Sequence, residues 1–278
     1  MVVLRSRDEV IEYVASAKKN NQSLGFVPTM GALHAGHLSL LAQSKHHAAK
    51  SLMSIFVNPT QFNDPEDFEK YPRTLERDID ALQSNPPDAL FIPEYQDIYP
   101  EGTKLLDFDL NGLDTILEGA FRPGHFKGVI TVVNNLLNLI QPNIIFLGEK
   151  DFQQLVILRK MIAALHTDIQ VMGCPTLREP GGLAMSSRNE RLSAQARIQA
   201  RQIFTTLRGI QERWNSISKD VLLQEGREVL NREPFTLEYL EALDAETLMT
   251  YKMEGDNADV LALALKIEGI RLIDNIAL

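Results

Sequence analysis

The chain has 278 residues, 44% hydrophobic and 23% charged, with a formal net charge of -9; that supports a substantial core in one large domain or two smaller ones. The acidic balance argues against a protein that gains its affinity by neutralising many nucleic-acid phosphates, and the single cysteine, Cys174, cannot form an intrachain disulfide. No apolar run approaches the roughly 20 residues needed to span a bilayer, and the start Met1 to Arg7 lacks the layout of a signal peptide. The expectation is a cytoplasmic protein with neither a nucleic-acid nor a membrane partner.

Along the chain, short apolar runs alternate with amphipathic stretches, the pattern of a parallel sheet with crossover helices. Strands are expected at Leu24 to Pro28, Leu52 to Val57, Ala89 to Ile92, Ile144 to Leu147 and Ile169 to Met172. Helices are expected at His37 to His47, Leu75 to Gln83, Phe126 to Leu139 and Asp151 to Leu165. Past Pro175 the pattern changes. Ser193 to Trp214 reads as one long helix opened by Ser193, and Lys219 to Asn231 as another. Strand-like stretches follow at Thr236 to Leu243, Asp259 to Ile267 and Ile270 to Ile276, the last two joined by a tight turn at Glu268-Gly269. The expected architecture is an α/β domain over residues 1–176 and a smaller α+β domain over 177–278, divided near Glu179-Pro180-Gly181-Gly182.

Three groups of residues carry chemistry. In the first, an apolar strand runs into Gly31 and Gly36, which flank a turn before Leu38, Leu40 and Leu41 open a helix. Helix-start N–H groups attract phosphate, and glycines let it approach the backbone. His34 and His37, three apart, can face the same bound group and donate hydrogen bonds even when neutral. The same pair also suits metal ligation or plain helix-start polarity, although no H-E-x-x-H glutamate accompanies it.

In the second group, Asn58 and Gln61 follow the strand ending at Val57, where α/β folds keep their ligands. Their amides suit the hydroxyl and carboxylate groups of a small acid, and an ordinary Asn-Pro turn has the same local sequence. The third group is Gly148-Glu149-Lys150-Asp151-Phe152-Gln153-Gln154 with Leu183 to Asn189. Lys150 can meet phosphate; Asp151 can cap a helix, contact a nucleotide or both; Gln154 lies one turn on. Ser186, Ser187 and Arg188 add hydroxyls and a guanidinium that brace a polyphosphate, or else form a capped surface turn.

Together M-G-A-L-H-A-G-H, F-V-N-P-T-Q-F, G-E-K-D-F-Q-Q and G-L-A-M-S-S-R-N resemble the pantothenate synthetase (pantoate–β-alanine ligase) family, within the nucleotidylyltransferase superfamily of H-x-G-H enzymes. Tyr71-Pro72-Arg73-Thr74 and Leu117 to Phe126 are similar to that family and not to other members of the superfamily. The resemblance implies a Rossmann-like ATP domain, a smaller C-terminal domain that covers the site, and a cytoplasmic homodimer. It also implies the reaction, the condensation of (R)-pantoate with β-alanine using ATP and Mg²⁺ through a pantoyl adenylate.

By the same resemblance, ATP is held by Met30, Gly31, Ala32, Leu33, His34, Ala35, Gly36 and His37, by Gly148, Glu149, Lys150 and Asp151, and by Leu177, Met185, Ser186, Ser187 and Arg188. His37 is the implied proton donor, assisted by His34, Lys150, Ser186, Ser187 and Arg188. Gln61 and Gln154 are implied for pantoate, Gln61 also for β-alanine, with Asn58, Arg122 and His125 around the same pocket and Asp78 as an indirect magnesium contact. Two positions depart from the family: Gly181 stands where Asp is common and Asn135 where Lys is common. Other readings of the motifs are a different H-x-G-H ligase, a nucleotide-binding regulatory protein without catalysis, or a zinc hydrolase.

Overall fold

The chain opens with two elements that the expectations above omit, β1 (Val2–Leu4) and α1 (Arg7–Lys19). Their signals are short: an apolar triplet, then a capping box in which Ser6 Oγ accepts from Glu9 N at 3.3 Å and Ser6 N donates to Glu9 Oε2 at 3.2 Å. The computed structural model describes residues 1–253, 256 and 258–278. These fall into two units, one of Met1–Glu149 with Ile157–Pro175 and one of Lys150–Val156 with Thr176–Leu278.

The first unit continues with β2 (Leu24–Thr29), α2 (Ala35–His47), β3 (Lys50–Ile55), a 3-10 turn (Pro59–Gln61), α3 (Pro65–Glu69), α4 (Leu75–Leu82) and β4 (Ala89–Phe91). After α5 (Tyr95–Ile98), α6 (Glu118–Phe121), α7 (His125–Ile140) and β5 (Ile144–Gly148) come a 3-10 turn (Glu149–Asp151), α8 (Phe152–Leu165) and β6 (Gln170–Cys174). The first residues of α8 belong to the second unit. All five expected strands are present, and β1 pairs in parallel with β4. β3 lies two residues earlier than expected, because Lys50 pairs with Leu24 at the sheet's entry and is tied to Asp88 at 2.9 Å.

The six strands form one parallel sheet in the order β1-β4-β3-β2-β5-β6. From β2 the chain moves to one side through β3, and β5 later lands on the other side of β2. The carboxyl ends of β2 and β5 therefore border the switch point where open α/β sheets bind ligands. Val27, Leu41, Met53, Leu90 and Phe146 bury one face of the sheet together; each such side chain contributes about 1.5–3 kcal/mol relative to exposure.

The second unit holds α9 (Ala194–Gln199), α10 (Arg201–Arg213), α11 (Lys219–Leu230) and an antiparallel sheet of β7 (Phe235–Leu243), β8 (Val260–Ile267) and β9 (Ile270–Ala277). Glu268 and Gly269 both have positive φ, 52° and 75°, and close the β8–β9 hairpin. The expectation of one helix over Ser193 to Trp214 is corrected. Ser193 does cap it, accepting from Ala196 N at 3.1 Å, but at the wholly buried Ala200 ψ is -16° and Ile203 N donates to Ala200 O, a 3-10 bond that ends α9 and restarts the helix. Ile203, Leu207 and Ile210 then pack with Leu240, Leu263 and Leu265 in this unit's core. No helix among the described residues is long and apolar enough to cross a membrane.

Candidate active site

Beyond β2 the backbone turns through Gly31 (φ 78°) and Ala32 (φ 49°). A left-handed alanine costs about 1–2 kcal/mol and needs the surroundings to hold it. Asp78, on α4 and 1% exposed, is what holds it here. Its Oδ2 accepts from Ala32 N at 2.9 Å, and its Oδ1 accepts from Leu33 N at 2.8 Å and from Thr74 Oγ1 at 3.1 Å. A side chain at position 31 would meet Asp78 Oδ2 at 3.0 Å. Both carboxylate oxygens thus serve the loop.

The loop delivers His34 and His37 to the start of α2, which begins at Ala35 and not at His37. His34 is its N-cap: His34 Nδ1 accepts from Gly36 N at 3.2 Å, and His37 Nδ1 accepts from His34 N at 3.3 Å. The rings lie 4.1 Å apart between centroids. An imidazole whose Nδ1 accepts from an N–H carries its proton on Nε2, so each ring presents Nε2–H as its donor. The helix-start reading and the phosphate reading are therefore compatible, one using each ring nitrogen. His37 N and Leu38 N bond back to His34 O, and Ala35 N is the first-turn N–H without a partner among the described residues. Among the described residues, no group of three or more His, Cys, Asp and Glu is placed to hold a metal ion.

Asn58 caps the 3-10 turn after β3, so the Asn-Pro turn is realised, and its amide also enters a wider network. Asn58 Oδ1 accepts from Tyr99 Oη at 2.9 Å, Thr60 Oγ1 at 3.0 Å and Thr60 N at 3.4 Å. Asn58 Nδ2 donates to Gln61 Oε1 at 3.1 Å and Gly128 O at 3.4 Å. Gln61 Nε2 then lies 3.1 Å from Met30 Sδ, a weak acceptor. Gly128 has to be glycine, since a Cβ there would come within 2.7 Å of Gln61 Cα.

Arg122 and His125 stand behind the same turn. His125 Nδ1 bonds Gln61 O at 2.7 Å, which places its proton on Nδ1, and Nε2 accepts from Arg122 Nη1 at 3.1 Å. A cavity of about 400 Å³ beside Met30 and Gly31, also lined by Phe56, Val57 and Thr74, has room for a small organic acid. At the end of β5, Gly148 and Glu149 reach the switch point. The buried thiol of Cys174 is pushed up to about 11, by burial first and the Glu149 carboxylate second, so it is no nucleophile at neutral pH.

In the second unit, Lys150 and Asp151 sit in the 3-10 turn ahead of α8, with Lys150 Nζ 3.6 Å from Asp151 Oδ1. Lys150 O accepts from Asn275 Nδ2 on β9 at 2.8 Å. Beside Asn275, the buried Asp274 takes a two-pronged bond from Arg178, at 2.6 and 3.0 Å, and Arg178 also stacks over Phe204 at 4.0 Å. Gln154 is half-buried in the first turn of α8.

Leu177 O accepts from Met185 N at 3.0 Å, closing a hairpin-like loop that leaves the Leu177 side chain 40% exposed. Ser186 Oγ accepts from Arg188 N at 3.2 Å and caps the 3-10 helix Ser187–Arg191. Glu179 binds Arg197 through both oxygens, at 2.7 and 2.8 Å, and Asn189 at 2.8 Å. Burial alone would raise its carboxyl, but the Arg197 and Asn189 bonds outweigh that and hold it below the usual range.

The two departures are accommodated locally. Gly181 has φ 102°, which suits glycine, and a Cβ there would touch the flexible end of Arg201. Asn135 Nδ2 donates to Ile98 O at 3.0 Å. Motif reading did not pick out Tyr99, Thr60, Arg178, Asp274 or Asn275, whose partners lie up to 125 residues away.

The family model described as pantoate-beta-alanine ligase matches residues 2–277. The chain is 42% identical over 281 aligned positions to the pantothenate synthetase of Flavobacterium psychrophilum, covering 100% of both chains, and 43% identical to that of Christiangramia forsetii, covering 100% of this chain and 99% of that one. It resembles the crystal structure of the Thermus thermophilus pantothenate synthetase with a TM-score of 0.91 at 38% identity over 99% of each chain. It also resembles a Francisella tularensis pantoate-beta-alanine ligase complexed with beta-gamma ATP and beta-alanine, with a TM-score of 0.83 at 37% identity over 100% of this chain and 97% of that one.

Proposed function

The chain belongs to the pantoate–β-alanine ligase family, and from that membership we infer how its own residues carry the reaction. It is an ATP-dependent ligase that joins (R)-pantoate to β-alanine. In the first step a pantoate carboxylate oxygen attacks the α-phosphorus of ATP and the α–β bridging P–O bond breaks, giving pantoyl adenylate and pyrophosphate. In the second, the β-alanine amine attacks the acyl carbon and the acyl C–O bond breaks. AMP leaves, and the amine loses a proton to form the amide.

His37 and His34 donate Nε2–H to the α-phosphate oxygens as charge grows there, with Lys150 as the cation, and His37 is the proton donor. The observation that carries this assignment is the pair of Nδ1 acceptor bonds at the start of α2, which leaves Nε2 of each ring as the donor nitrogen. ATP is bound by Met30 to His37, Gly148 to Asp151, Leu177 and Met185 to Arg188. Ser186, Ser187 and Arg188 attend the departing pyrophosphate. Gln61 and Gln154 bind pantoate, and Gln61 also approaches β-alanine. Asn58, Arg122 and His125 belong to the same substrate pocket: Asn58 and His125 bond Gln61, and Arg122 bonds His125.

Mg-ATP is the nucleotide substrate, and magnesium bound with it would disperse charge on the leaving pyrophosphate. Asp78 shapes the histidine loop through its bonds to Ala32 N and Leu33 N, and its part toward magnesium is an indirect contact through water or phosphate. A cytoplasmic homodimer completes the reading. Light scattering of the purified chain tests the dimer.

The assay for the whole reading measures AMP released from Mg-ATP with pantoate and β-alanine, added singly and together. Sustained AMP release requires both acids, and pantoate alone gives a single turnover of pyrophosphate. Release that ignores either acid would overturn it.

A further inference from the structure

We propose that Tyr99, with Thr60, is a positioning residue for the acid substrate: their hydroxyls anchor Asn58 in an amide relay whose sense the backbone Thr60 N–H and Gly128 C=O fix, so that Gln61 presents its NH₂ and not its carbonyl to pantoate. The proposal rests on the reading of Gln61 as a pantoate ligand.

An amide has a donor end and an acceptor end of almost the same shape, so an unanchored glutamine offers either. Recognition of an oxygen-rich acid needs the donor. The relay removes the choice in three steps. Thr60 N is an obligate donor and lies 3.4 Å from Asn58 Oδ1, Gly128 O is an obligate acceptor 3.4 Å from Asn58 Nδ2, and the Thr60 and Tyr99 hydroxyls, 3.0 Å from each other, anchor the same Oδ1 at 3.0 and 2.9 Å. Turning Asn58 over would set its NH₂ against that backbone N–H. Asn58 Nδ2 is therefore directed to Gln61 Oε1 at 3.1 Å and to Gly128 O. With its oxygen so engaged, Gln61 has only Nε2 to offer, and its present neighbour, Met30 Sδ, is an acceptor that a carboxylate or hydroxyl oxygen improves on.

The relay is shielded from water, which would otherwise satisfy either orientation. Asn58 is 1% exposed, Tyr99 7% and Gln61 8%. Burial pushes the Tyr99 hydroxyl up to about 12, so its proton is present throughout the working range. The His125 bond to Gln61 O fixes the backbone from which the side chain projects.

The test uses the full chain and measures KM for pantoate, KM for ATP and kcat for pyrophosphate release. The Tyr99→Phe, Thr60→Val double variant keeps both side-chain shapes and removes both hydroxyls. It should raise KM for pantoate about tenfold to a hundredfold, with KM for ATP and kcat at saturating pantoate within about twofold. Restoring Thr60 in the single Tyr99→Phe variant recovers part of the loss.

Asn58→Asp keeps both hydroxyls but offers Gln61 only acceptors, forcing Gln61 to turn its oxygen to the substrate; it should raise KM for pantoate at least as much and serves if the double variant does not fold. Gln61→Ala is the control for the underlying reading. If it leaves KM for pantoate unchanged, Gln61 is no pantoate ligand and the relay falls with it. If Gln61→Ala raises KM but the double variant and Asn58→Asp do not, the relay alone is wrong. Parallel changes in both KM values and kcat, tracking a lower Tm, would mean that the hydroxyls only stabilise the fold.

Discussion

The histidine loop of the first unit and the lysine turn of the second are both held from behind, by different kinds of bond. At the histidine loop one buried carboxylate accepts from backbone N–H groups, and neutral amides, hydroxyls and imidazoles do the rest. At the lysine turn the support rests on ion pairs, Arg178 with Asp274 beside the Asn275 bond to Lys150 O, and Glu179 with Arg197 under the Ser186 turn. Neutral networks fix which atom is donor and which acceptor, as recognition of a small acid and an α-phosphate requires. Charged networks fix position, and their contribution depends on both partners staying ionised.

Four measurements test that contrast. The largest effect is expected for Asp274→Ala, which strands the Arg178 guanidinium: a loss of about 3–5 kcal/mol in denaturant unfolding. A loss under about 1 kcal/mol would mean that solvent already supports Arg178. Next comes His37→Asn, whose Oδ1 can stand in for Nδ1 in the bond from His34 N while the distant Nε2 donor disappears. Pyrophosphate release should fall about 10²–10³-fold with Tm nearly unchanged, and an unaltered rate would remove His37 from the chemistry.

Asp78→Asn turns one acceptor facing the loop into a donor, at a cost of about 1–3 kcal/mol, and should weaken ATP binding more than pantoate binding. Equal weakening of both would deny Asp78 a specific hold on the histidine loop. The smallest effect belongs to pH. Glu179 has a folded pKa below its unfolded value, so its contribution is fully present above the unfolded value of about 4.3 and is lost as pH falls through the lower folded one. With Arg197 half exposed, that contribution is under about 1 kcal/mol. Glu179→Gln should flatten the acid limb of a stability–pH curve below about pH 4, and an unchanged limb would assign the acid sensitivity elsewhere.

Periodicity located nearly every long element, because burial of one face imposes a period wherever sheet and helix pack. It failed where length or context decides. β1 is three residues long and gains its identity from pairing with β4; the break at Ala200 interrupts an apolar pattern that reads as continuous on either side. Motif residues were legible for a related reason: His34, His37, Asn58, Gln61, Lys150 and Ser186 stand at strand ends and helix starts, which local sequence marks. Tyr99 and Asn275 carry no such mark, since a tyrosine ahead of a proline and an asparagine late in a strand have many uses.

By itself the sequence determined the strand–loop–helix units, the residue types at their ends and, through four motifs, the family and its reaction. Local propensity and spacing are sufficient for that, because they act within a few residues. Only the tertiary structure decided what those residues can do with their hydrogens. It put the imidazole protons of His34 and His37 on Nε2, turned Asp78 to the loop, and gave the Asn58–Gln61 relay its sense. Protonation site and amide orientation follow from partners 2 to 70 residues distant, and their geometry is set only once the chain has folded.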